Sequence, residues 1–317
     1  MQITNVKYPS LDGQTTIKGW LREPDEVAAG TRQPRALIQI VHGAAEHIGR
    51  YERLAQLLVD KGFAVCASDH IGHGRSAEGP ADLGFIPATE GPSILVEDVH
   101  SLRLLAQPRY ADNVPFIMLG HSMGSFITRV YLGDYGDGVD AAIISGTTHN
   151  GWVLSTVNNL LASMIANKQG ERAYSQLLQN AGLNSYGRKM KDARTACDWL
   201  CTDEAVVDAY IADPLCGFPF SNGAYAALTG LIRQMGSRPT LDGIPKGLKL
   251  LFIAGQDDPV GYFGRGVQAA AKAYQKAGLR KIDVWIRPGL RHEVFNEPGW
   301  PELVDETVSW LEEALDL

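Results

Sequence analysis

The residues best suited to chemistry in this sequence lie at 120–124, which read Gly-His-Ser-Met-Gly. The G-x-S-x-G pattern carries little information alone, but here it follows an apolar run at 115–119 and precedes a helical pattern at 124–132. A tight turn from strand to helix exposes the serine hydroxyl at the positive end of the helix, and the glycines leave room for that turn. We therefore predict that Ser122 is a nucleophile that attacks an acyl carbon.

A serine nucleophile needs a base that takes its proton and an acid that orients the base. In the chain order serine, acid, histidine, only His292 of the eight histidines follows the last predicted strand. The acid is expected after the preceding strand, where Asp257 and Asp258 are adjacent and only one of them can reach the histidine. The spacing from Gly255 favours Asp258.

The negative charge that develops on the substrate oxygen needs backbone N–H donors, and the loss of one costs about 3 kcal/mol. One donor is expected at Met123, the residue after the nucleophile. The other is expected in the loop at 42–45 after the first apolar run, where Ala44 is the predicted donor. A tight turn without a catalytic role is the alternative for this loop.

The elements that must position these residues alternate between strands and helices. Short apolar runs predict strands at 36–41, 63–67, 116–119, 139–145, 248–254 and 282–286. Apolar residues at helical spacing predict helices at 51–61, 94–105, 124–132, 267–276 and 301–315. A turn signal at 11–13 predicts a hairpin of strands 3–8 and 15–20. This order is typical of an α/β fold, in which helices cover both faces of a mostly parallel sheet.

The alternation stops between residues 147 and 238, where only helical patterns and Gly/Pro-rich joints occur. We predict a helical cap inserted at 147–238 into an α/β core formed by 1–146 and 239–317. Trp152, Phe218 and Phe220 are candidates for lining an acyl pocket. The cap also contains five large apolar residues that would either bury an alkyl chain or pack the cap onto the sheet: Leu154, Leu160, Leu161, Met164 and Ile165.

Composition excludes several classes of protein. The net charge is −7 from 29 basic and 36 acidic residues with no basic block, so we expect no nucleic-acid partner. We expect neither a signal peptide nor a transmembrane segment, because the N-terminus lacks the signal pattern and no apolar run is long enough. The four cysteines are too sparse for a disulfide framework, which favours the cytoplasm.

Other polar residues need a structural explanation. His42, Glu46 and His47 do not have metal-binding spacing and follow a strand, so we predict no metal and no cofactor. The remaining polar candidates are predicted to be structural: a hydrogen-bonding pair in a Gly-rich loop, His70 and His73, and an ion pair, Glu46 and Arg50.

Several segments form a set of motifs. Residues 42–51 read as H-G-x-x-E-H-x-x-R-Y and 69–76 as D-H-x-G-H-G-x-S. Residues 120–124 read G-H-S-M-G, 255–259 form an acid loop and 291–297 a histidine loop. In this order they resemble the elements of one family, the monoglyceride lipase and lysophospholipase group of serine hydrolases. Only the cap lacks clear motif support. Ser125 departs from the pattern, since many members have a further glycine there.

The resemblance implies an α/β-hydrolase fold with a mobile cap over an acyl-binding tunnel, and hydrolysis of monoacylglycerols, lysophospholipids or simpler carboxylic esters. We therefore expect a carboxylic ester hydrolase that forms an acyl-enzyme and acts on a small-molecule acyl ester. Acyl transfer by the same triad and a non-catalytic binding protein of the same fold are the alternatives. The sequence leaves open the acyl chain length, a homodimer, and a transient contact of the cap with a membrane surface.

Overall fold

One eight-stranded sheet runs through the centre of the computed structural model, which describes all 317 residues. Its strands are β1 (Gln2–Pro9), β2 (Thr16–Glu23), β3 (Leu37–Val41), β4 (Ala64–Ser68), β5 (Phe116–His121), β6 (Ala141–Ser145), β7 (Lys249–Gly255) and β8 (Lys281–Arg287). They lie in the order β1-β2-β4-β3-β5-β6-β7-β8. The β1–β2 and β2–β4 pairs are antiparallel, and all other neighbours are parallel. The predicted mostly parallel sheet with an N-terminal hairpin is confirmed.

Helices cover both faces of this sheet. They are α1 (Asp25–Ala28), α2 (Glu52–Asp60), α3 (Gly91–Ala106), α4 (Met123–Tyr135), α5 (Trp152–Gln169), α6 (Gln176–Ala181), α7 (Asn184–Gly187), α8 (Glu204–Ala212), α9 (Asn222–Gln234), α10 (Arg238–Gly243), α11 (Arg265–Lys276) and α12 (Trp300–Leu315). Residues of α2 and α12 share one apolar cluster, while α3, α4 and α11 share the other. Three helices were not predicted, α1, α7 and α10, because four to six residues are too few to show a helical period.

The central strands are mostly apolar because both of their faces are buried, and the one polar residue of β3, Gln39, donates a hydrogen bond to the Val99 carbonyl. In β3, Ile38 and Ile40 join the cluster of α2 and α12, whereas Leu37 and Val41 join the opposite cluster. Side chains of a strand alternate between the two faces, so a strand covered on both sides has no polar face. The parallel strands also end at one edge of the sheet. The loops that follow β3, β5, β7 and β8 therefore meet there, and these loops carry the predicted site residues.

The chain between β6 and β7 contains α5 to α10 and no strand. The predicted cap, residues 147–238, lies within this interval. Helix α9 packs on α3, α4 and α5, and cap residues such as Phe220, Tyr225 and Leu231 belong to the largest core cluster. A separate small cluster holds only cap residues and one residue of the acid loop: Trp199, Leu200, Cys201, Val207, Tyr210, Cys216 and Val260. The cap is therefore packed onto the core at two places.

Helix α5 packs the opposite way from the sequence prediction. Its face toward α9 consists of small buried residues, Ser155, Ala162 and Ala166. Four of the five large apolar residues singled out in the sequence, Leu154, Leu160, Leu161 and Met164, are exposed by 47–67%, whereas Ile165 is partly buried and packs on the largest core cluster, as one of the two predicted roles required. Both proposed roles for these four residues are wrong, because small residues allow the close approach of the helices and leave the large ones outside. None of the helices combines the length and the apolar character needed to cross a bilayer.

Candidate active site

Ser122 lies at the turn between β5 and α4 with φ +52° and ψ −120°. A positive φ is costly for a residue with a side chain, and it persists only where the surroundings impose it. Two glycines make this turn possible, because a Cβ on Gly124 would collide with the carbonyl oxygen of Val41, and one on Gly120 with the hydroxyl of Thr128. The predicted nucleophile elbow is therefore present, and it leaves Ser122 partly exposed to a cavity.

His292 lies in the loop after β8, and its Nδ1–H donates to Oδ2 of Asp258 at 3.0 Å. Both side chains are at most 1% exposed, whereas the neighbouring Asp257 is exposed. The other oxygen of Asp258 accepts a hydrogen bond from the Val260 N–H at 2.8 Å, which fixes the carboxylate. Nε2 of His292 is buried and has no partner in the protein. It makes no hydrogen bond to Ser122, a contact that is often long without substrate.

Opposite environments shift the pKa values of two adjacent histidines in opposite directions. Burial lowers the pKa of His292, but the charge and hydrogen bond of Asp258 outweigh it, so this pKa is raised above its ordinary value. The ring of His121 lies 4.6 Å from that of His292, and burial together with His292 lowers the pKa of His121 to about 4. His292 is therefore the ring of this pair that takes up a proton readily.

The oxyanion candidates lie beside this pair. The N–H groups of Ala44 and Met123 donate no hydrogen bond within the protein, although the residues on either side of Ala44 are held. The Gly43 N–H donates to Oε1 of Glu46 at 2.6 Å, and the Ala45 N–H donates to Nε2 of His73 at 3.2 Å. Ala45 has φ +54°, a strained value for alanine. The loop is thus anchored on both sides of a free N–H group.

Three buried histidines support this loop through neutral rings. Nε2 of His42 accepts from the His70 N–H at 3.0 Å, Nε2 of His70 donates to the His42 carbonyl at 3.1 Å, and Nδ1 of His73 donates to the Ile71 carbonyl at 2.9 Å. Burial lowers the pKa values of all three, that of His73 to about 4. The prediction that His70 and His73 order their loop by hydrogen bonds is confirmed.

A buried ion network joins the histidine loop to the loop at 42–47, which carries the oxyanion candidate Ala44 and is called the oxyanion loop below. Arg50 contacts Glu46 at 2.7 Å, which confirms the predicted ion pair, and it binds both oxygens of Glu293 at 2.6 and 2.7 Å. Glu46 and Glu293 are only 3–4% exposed. Since Glu293 follows His292 in the chain, one guanidinium group holds both loops at once.

A cavity of about 410 Å³ opens over Ser122, a volume within the usual range for small-molecule sites. Ser122, His292, Ala44 and Phe218 line it. The cap contributes most of the other walls, including Gln176, Gln179, Leu183, Asn184, Ala196, Cys197, Trp199, Leu200, Tyr210 and Gly217.

Two predicted pocket residues do not line this cavity. Trp152 begins α5 and is 64% exposed on the outer surface of the cap. Phe220 is fully buried behind Phe218, against the rings of His73 and Tyr225. Both corrections have one cause, since the aromatic composition of the cap does not show which aromatic side chain packs inside and which stays outside.

Sequence reasoning missed four residues of the site, which are His121, Trp199, Tyr210 and Glu293. Trp199 and Tyr210 lie in the cap, where no motif points to them. His121 and Glu293 are immediate neighbours of Ser122 and His292, so their position in the motifs was the signal that could have identified them.

His47, Asp213 and Cys216 place three donor atoms within 4.8 Å of one another beside this cavity. Two of the donors are bonded to each other, His47 Nε2 to Asp213 Oδ2 at 2.9 Å. Burial raises the pKa of the Cys216 thiol, which disfavours the thiolate that binds metals. This group is better explained as a structural contact than as a metal centre.

The nucleophile turn after the central strand β5, with an acid after β7 and a histidine after β8, defines a hydrolase of the α/β-hydrolase class. The chain belongs to the family described as "Serine aminopeptidase, S33", which matches residues 32–299.

Several curated relatives of the chain are named as monoacylglycerol or monoglyceride lipases. A monoacylglycerol lipase of Mycolicibacterium smegmatis is 30% identical over 297 residues, 92% of this chain and 94% of the relative. The monoglyceride lipase of Mus musculus is 32% identical over 57% of this chain and 52% of its own. A thermostable carboxyl esterase from Bacillus coagulans, solved in complex with glycerol, superposes with a TM-score of 0.89 at 26% identity and 99% coverage of both chains. A soluble variant of the Saccharomyces cerevisiae monoglyceride lipase shares the fold, with a TM-score of 0.72 at 16% identity over 99% of this chain and 95% of that one. The chain is a carboxylic ester hydrolase.

Proposed function

We propose that the chain hydrolyses acyl esters through a covalent acyl-enzyme on Ser122. The observation that carries this proposal is the convergence on one cavity of a strained serine, a histidine bonded to a buried aspartate, and the free N–H of Ala44. These are the parts that acyl transfer needs: a nucleophile, an oriented base and donors for the oxyanion.

The reaction then proceeds in two halves. His292 takes the Ser122 proton at Nε2 while the serine oxygen attacks the ester carbonyl, and the N–H groups of Ala44 and Met123 stabilise the resulting oxyanion. When the intermediate collapses, His292 gives the proton to the leaving alcohol. Water then gives a proton to His292 and attacks the acyl-enzyme; the bond between the acyl carbon and the Ser122 oxygen breaks, His292 returns the proton to that oxygen, and the carboxylic acid leaves. Asp258 holds the imidazole tautomer and stabilises the imidazolium in both halves.

The proposed substrate is a monoacylglycerol or another medium-chain acyl ester. The names of the M. smegmatis and mouse relatives support it, as does a cavity in which Phe218, Leu183 and Leu200 provide apolar wall. Lysophospholipids are the second candidate class, and transfer of the acyl group to an alcohol other than water is the rival reaction. Four unpaired cysteines are consistent with the cytoplasm, which we propose as the location.

The test of the nucleophile is Ser122→Ala, with Ser93→Ala on the exposed surface of α3 as the matched control. We expect Ser122→Ala to lose at least about 10³-fold in kcat and to escape labelling by a fluorophosphonate, while Ser93→Ala behaves as the parent. Retention of most esterase activity by Ser122→Ala would refute the mechanism. Rates on p-nitrophenyl esters from acetate to palmitate then locate the acyl preference, and a sharp optimum at acetate would exclude a lipase-like substrate.

We further propose that α5 contacts a membrane surface transiently. Val153, Val157, Leu160 and Met164 recur at helical spacing on one face and are 55–69% exposed, and Lys168 is the only charged residue of the helix. Such a face costs free energy in water, and a lipid surface would also present an acylglycerol substrate.

The test is cosedimentation with phosphatidylcholine vesicles. Replacing Val153, Val157, Leu160 and Met164 by glutamine is expected to weaken binding at least about tenfold, because each lost methylene is worth about 0.8 kcal/mol. A variant with Asn158 and Asn167, two exposed polar residues of α5, replaced by glutamine is the control. Absence of vesicle binding, together with a parent dimer that the apolar-face variant converts to a monomer, would assign α5 to a homodimer interface instead.

A further inference from the structure

One segment of the cap is bonded to the catalytic loops rather than laid over them. We call residues 198–217 the brace. It includes α8 and six of the seven residues of the small apolar cluster, and its cluster members are at most 9% exposed. Residues of the brace line the cavity together with residues of the loops that follow β3, β5 and β8.

The first half of the brace bonds to the histidine loop through its main chain. The His292 N–H donates to the Trp199 carbonyl at 3.3 Å, and the Glu293 N–H donates to the Leu200 carbonyl at 2.8 Å. The indole of Trp199 also lies 5.0 Å from the imidazole of His292. Side chains extend the contact, with Arg291 donating to the Cys201 carbonyl at 2.9 Å and Glu297 accepting from the Thr202 N–H at 2.9 Å.

The second half bonds to the oxyanion loop at Ala45 and at His47. The carbonyl oxygen of Ala45 accepts from the Tyr210 hydroxyl at 3.0 Å and from the Gly217 N–H at 2.9 Å. Asp213 of the brace also bonds to His47, which follows Ala45 in the same loop. Tyr210 is 8% exposed, and the guanidinium of Arg50 stacks on its ring at 4.9 Å.

These bonds have a consequence for the Ala44 N–H. Its neighbours are held by Glu46 at Gly43 and by His73 at Ala45, and the brace holds the carbonyl of Ala45. Ala45 is strained at φ +54°, so a weaker hold on its carbonyl lets the backbone relax toward ordinary angles. Rotation about φ of Ala45 turns the peptide that joins Ala44 to Ala45, and this movement passes through the Cα of Ala44 to the preceding peptide, which carries the Ala44 N–H.

We propose that the brace is a positioning element of the active site and that Tyr210 is a positioning residue, which aims the Ala44 N–H by holding the Ala45 carbonyl. This inference rests on the proposed acyl-enzyme mechanism, in which that N–H stabilises the oxyanion. The brace also packs on Val260, two residues beyond Asp258, so it contacts the oxyanion, acid and histidine loops together.

The test removes one hydroxyl group. Tyr210→Phe keeps the ring and deletes the bond to Ala45, and Tyr186→Phe is the matched control because it deletes a cap hydroxyl that bonds to no protein group. We expect kcat of Tyr210→Phe on the best p-nitrophenyl ester to fall about tenfold, less than the 100-fold or greater loss that follows removal of a donor. KM is expected to stay within about twofold, because the donor acts in the transition state. Tyr186→Phe should match the parent.

A second readout reports on the oxyanion itself. A trifluoromethyl ketone forms a hemiketal oxyanion with a nucleophilic serine, so its inhibition constant should rise by the same factor by which kcat/KM falls. Asp213→Asn weakens the bond of the brace to His47 in the oxyanion loop, and it should also lower kcat, by a smaller factor. This variant replaces Tyr210→Phe in the test if Tyr210→Phe does not fold.

Three results would overturn the proposal. These are an unchanged kcat in Tyr210→Phe, equal losses in Tyr210→Phe and Tyr186→Phe, and a rise in KM alone, which would make Tyr210 a substrate contact. Each of them can occur while Ser122→Ala remains inactive, so failure of the brace is distinguishable from failure of the mechanism. Full activity of Ser122→Ala would instead remove the mechanism on which both proposals rest.

Discussion

Two regions of the same insertion differ in which side chains they bury: α5 exposes its large side chains, and the brace buries them. Helix α5 rests on α9 through serine and alanine, and it turns its tryptophan, valines and leucines outward. The brace, residues 198–217, turns Trp199, Leu200 and Tyr210 inward and bonds its main chain to both catalytic loops. Calling the whole insertion a lid would therefore describe only one of these regions.

The two regions differ in how much their contacts with the core contribute to the free energy of folding. Side chains that are already exposed lose little when they are changed or moved, whereas buried groups with fixed partners cannot be altered without leaving cavities or unpaired charges. We therefore expect α5 to tolerate motion and substitution, and the brace to report any disturbance as a loss of stability or turnover. The following changes are arranged from the largest expected effect to the smallest.

Arg50→Met should give the largest loss of stability, because the guanidinium stacks on the ring of Tyr210 and pairs with two buried carboxylates. Removing one member of a buried charge network leaves uncompensated charge and costs about 3–5 kcal/mol. The free energy of unfolding in urea measures it. Arg238→Met, which breaks an exposed pair with Asp242, is the control and should cost about 0.5 kcal/mol or less. Equal losses in the two variants would contradict a structural role for the Arg50 network, on which Tyr210 of the brace packs.

Trp199 in the brace and Trp152 in α5 provide a direct test of the difference between the two regions. Trp199→Ala removes a ring that is 9% exposed and packs on His292, so a loss of about 3 kcal/mol is expected, together with a fall in kcat/KM. Trp152→Ala removes a ring that is 64% exposed and should stay within about 0.5 kcal/mol. Thermal melts and esterase assays on the pair decide the matter. If Trp152→Ala proves the more harmful, the roles of the two regions are reversed.

Acidic pH should lower the free energy of unfolding through the buried histidines near the active site, and it should leave vesicle binding by α5 unchanged. Burial lowers the pKa values of His73 and His121 to about 4, so the unfolded chain takes up their protons first as the pH falls below about 6.5. Stability that is complete above that pH is then lost toward pH 4, at up to about 1.4 kcal/mol per pH unit for each histidine. Denaturant titrations at pH 7, 6 and 5 measure the slope. Helix α5 contains no acidic residue and no histidine, so vesicle binding should not change over this range.

The pH dependence of the activity should follow the protonation of His292. Its pKa is raised by Asp258 above the ordinary 6.5, and the neutral ring is the base, so kcat/KM should rise with pH through that raised value. The stability that His292 contributes has the opposite sign, since it is complete below 6.5 and is lost as the pH rises through the raised pKa. An activity profile that is flat from pH 5 to 8 would contradict the assignment of His292 as the base.

The smallest effect is expected on the outer face of α5. Leu160→Ala changes a side chain that is 58% exposed and should alter the free energy of unfolding by less than about 0.5 kcal/mol. Leu231→Ala on the neighbouring α9, which is fully buried, is the control and should cost about 2–5 kcal/mol. A large loss from Leu160→Ala would mean that α5 folds onto another part of the protein in solution.

The local patterns of the sequence were sufficient for the strands, for most of the helices and for the turn that carries Ser122. A helical or strand period depends on near neighbours only, and the glycines at 120 and 124 are required by contacts within the turn itself. The ion pair of Glu46 and Arg50 was predictable for the same reason, since four residues separate its members.

The packing of the cap was decided by tertiary structure alone. The face of α5 that packs is the one with small side chains, a choice that depends on the shape of α9 rather than on the hydrophobicity of α5. Likewise, Tyr210 meets Ala45 across 165 residues of chain, and Arg50 meets Glu293 across 243. No spacing rule spans such separations, because only the folded sheet brings the ends of its strands to one edge and sets the brace against them.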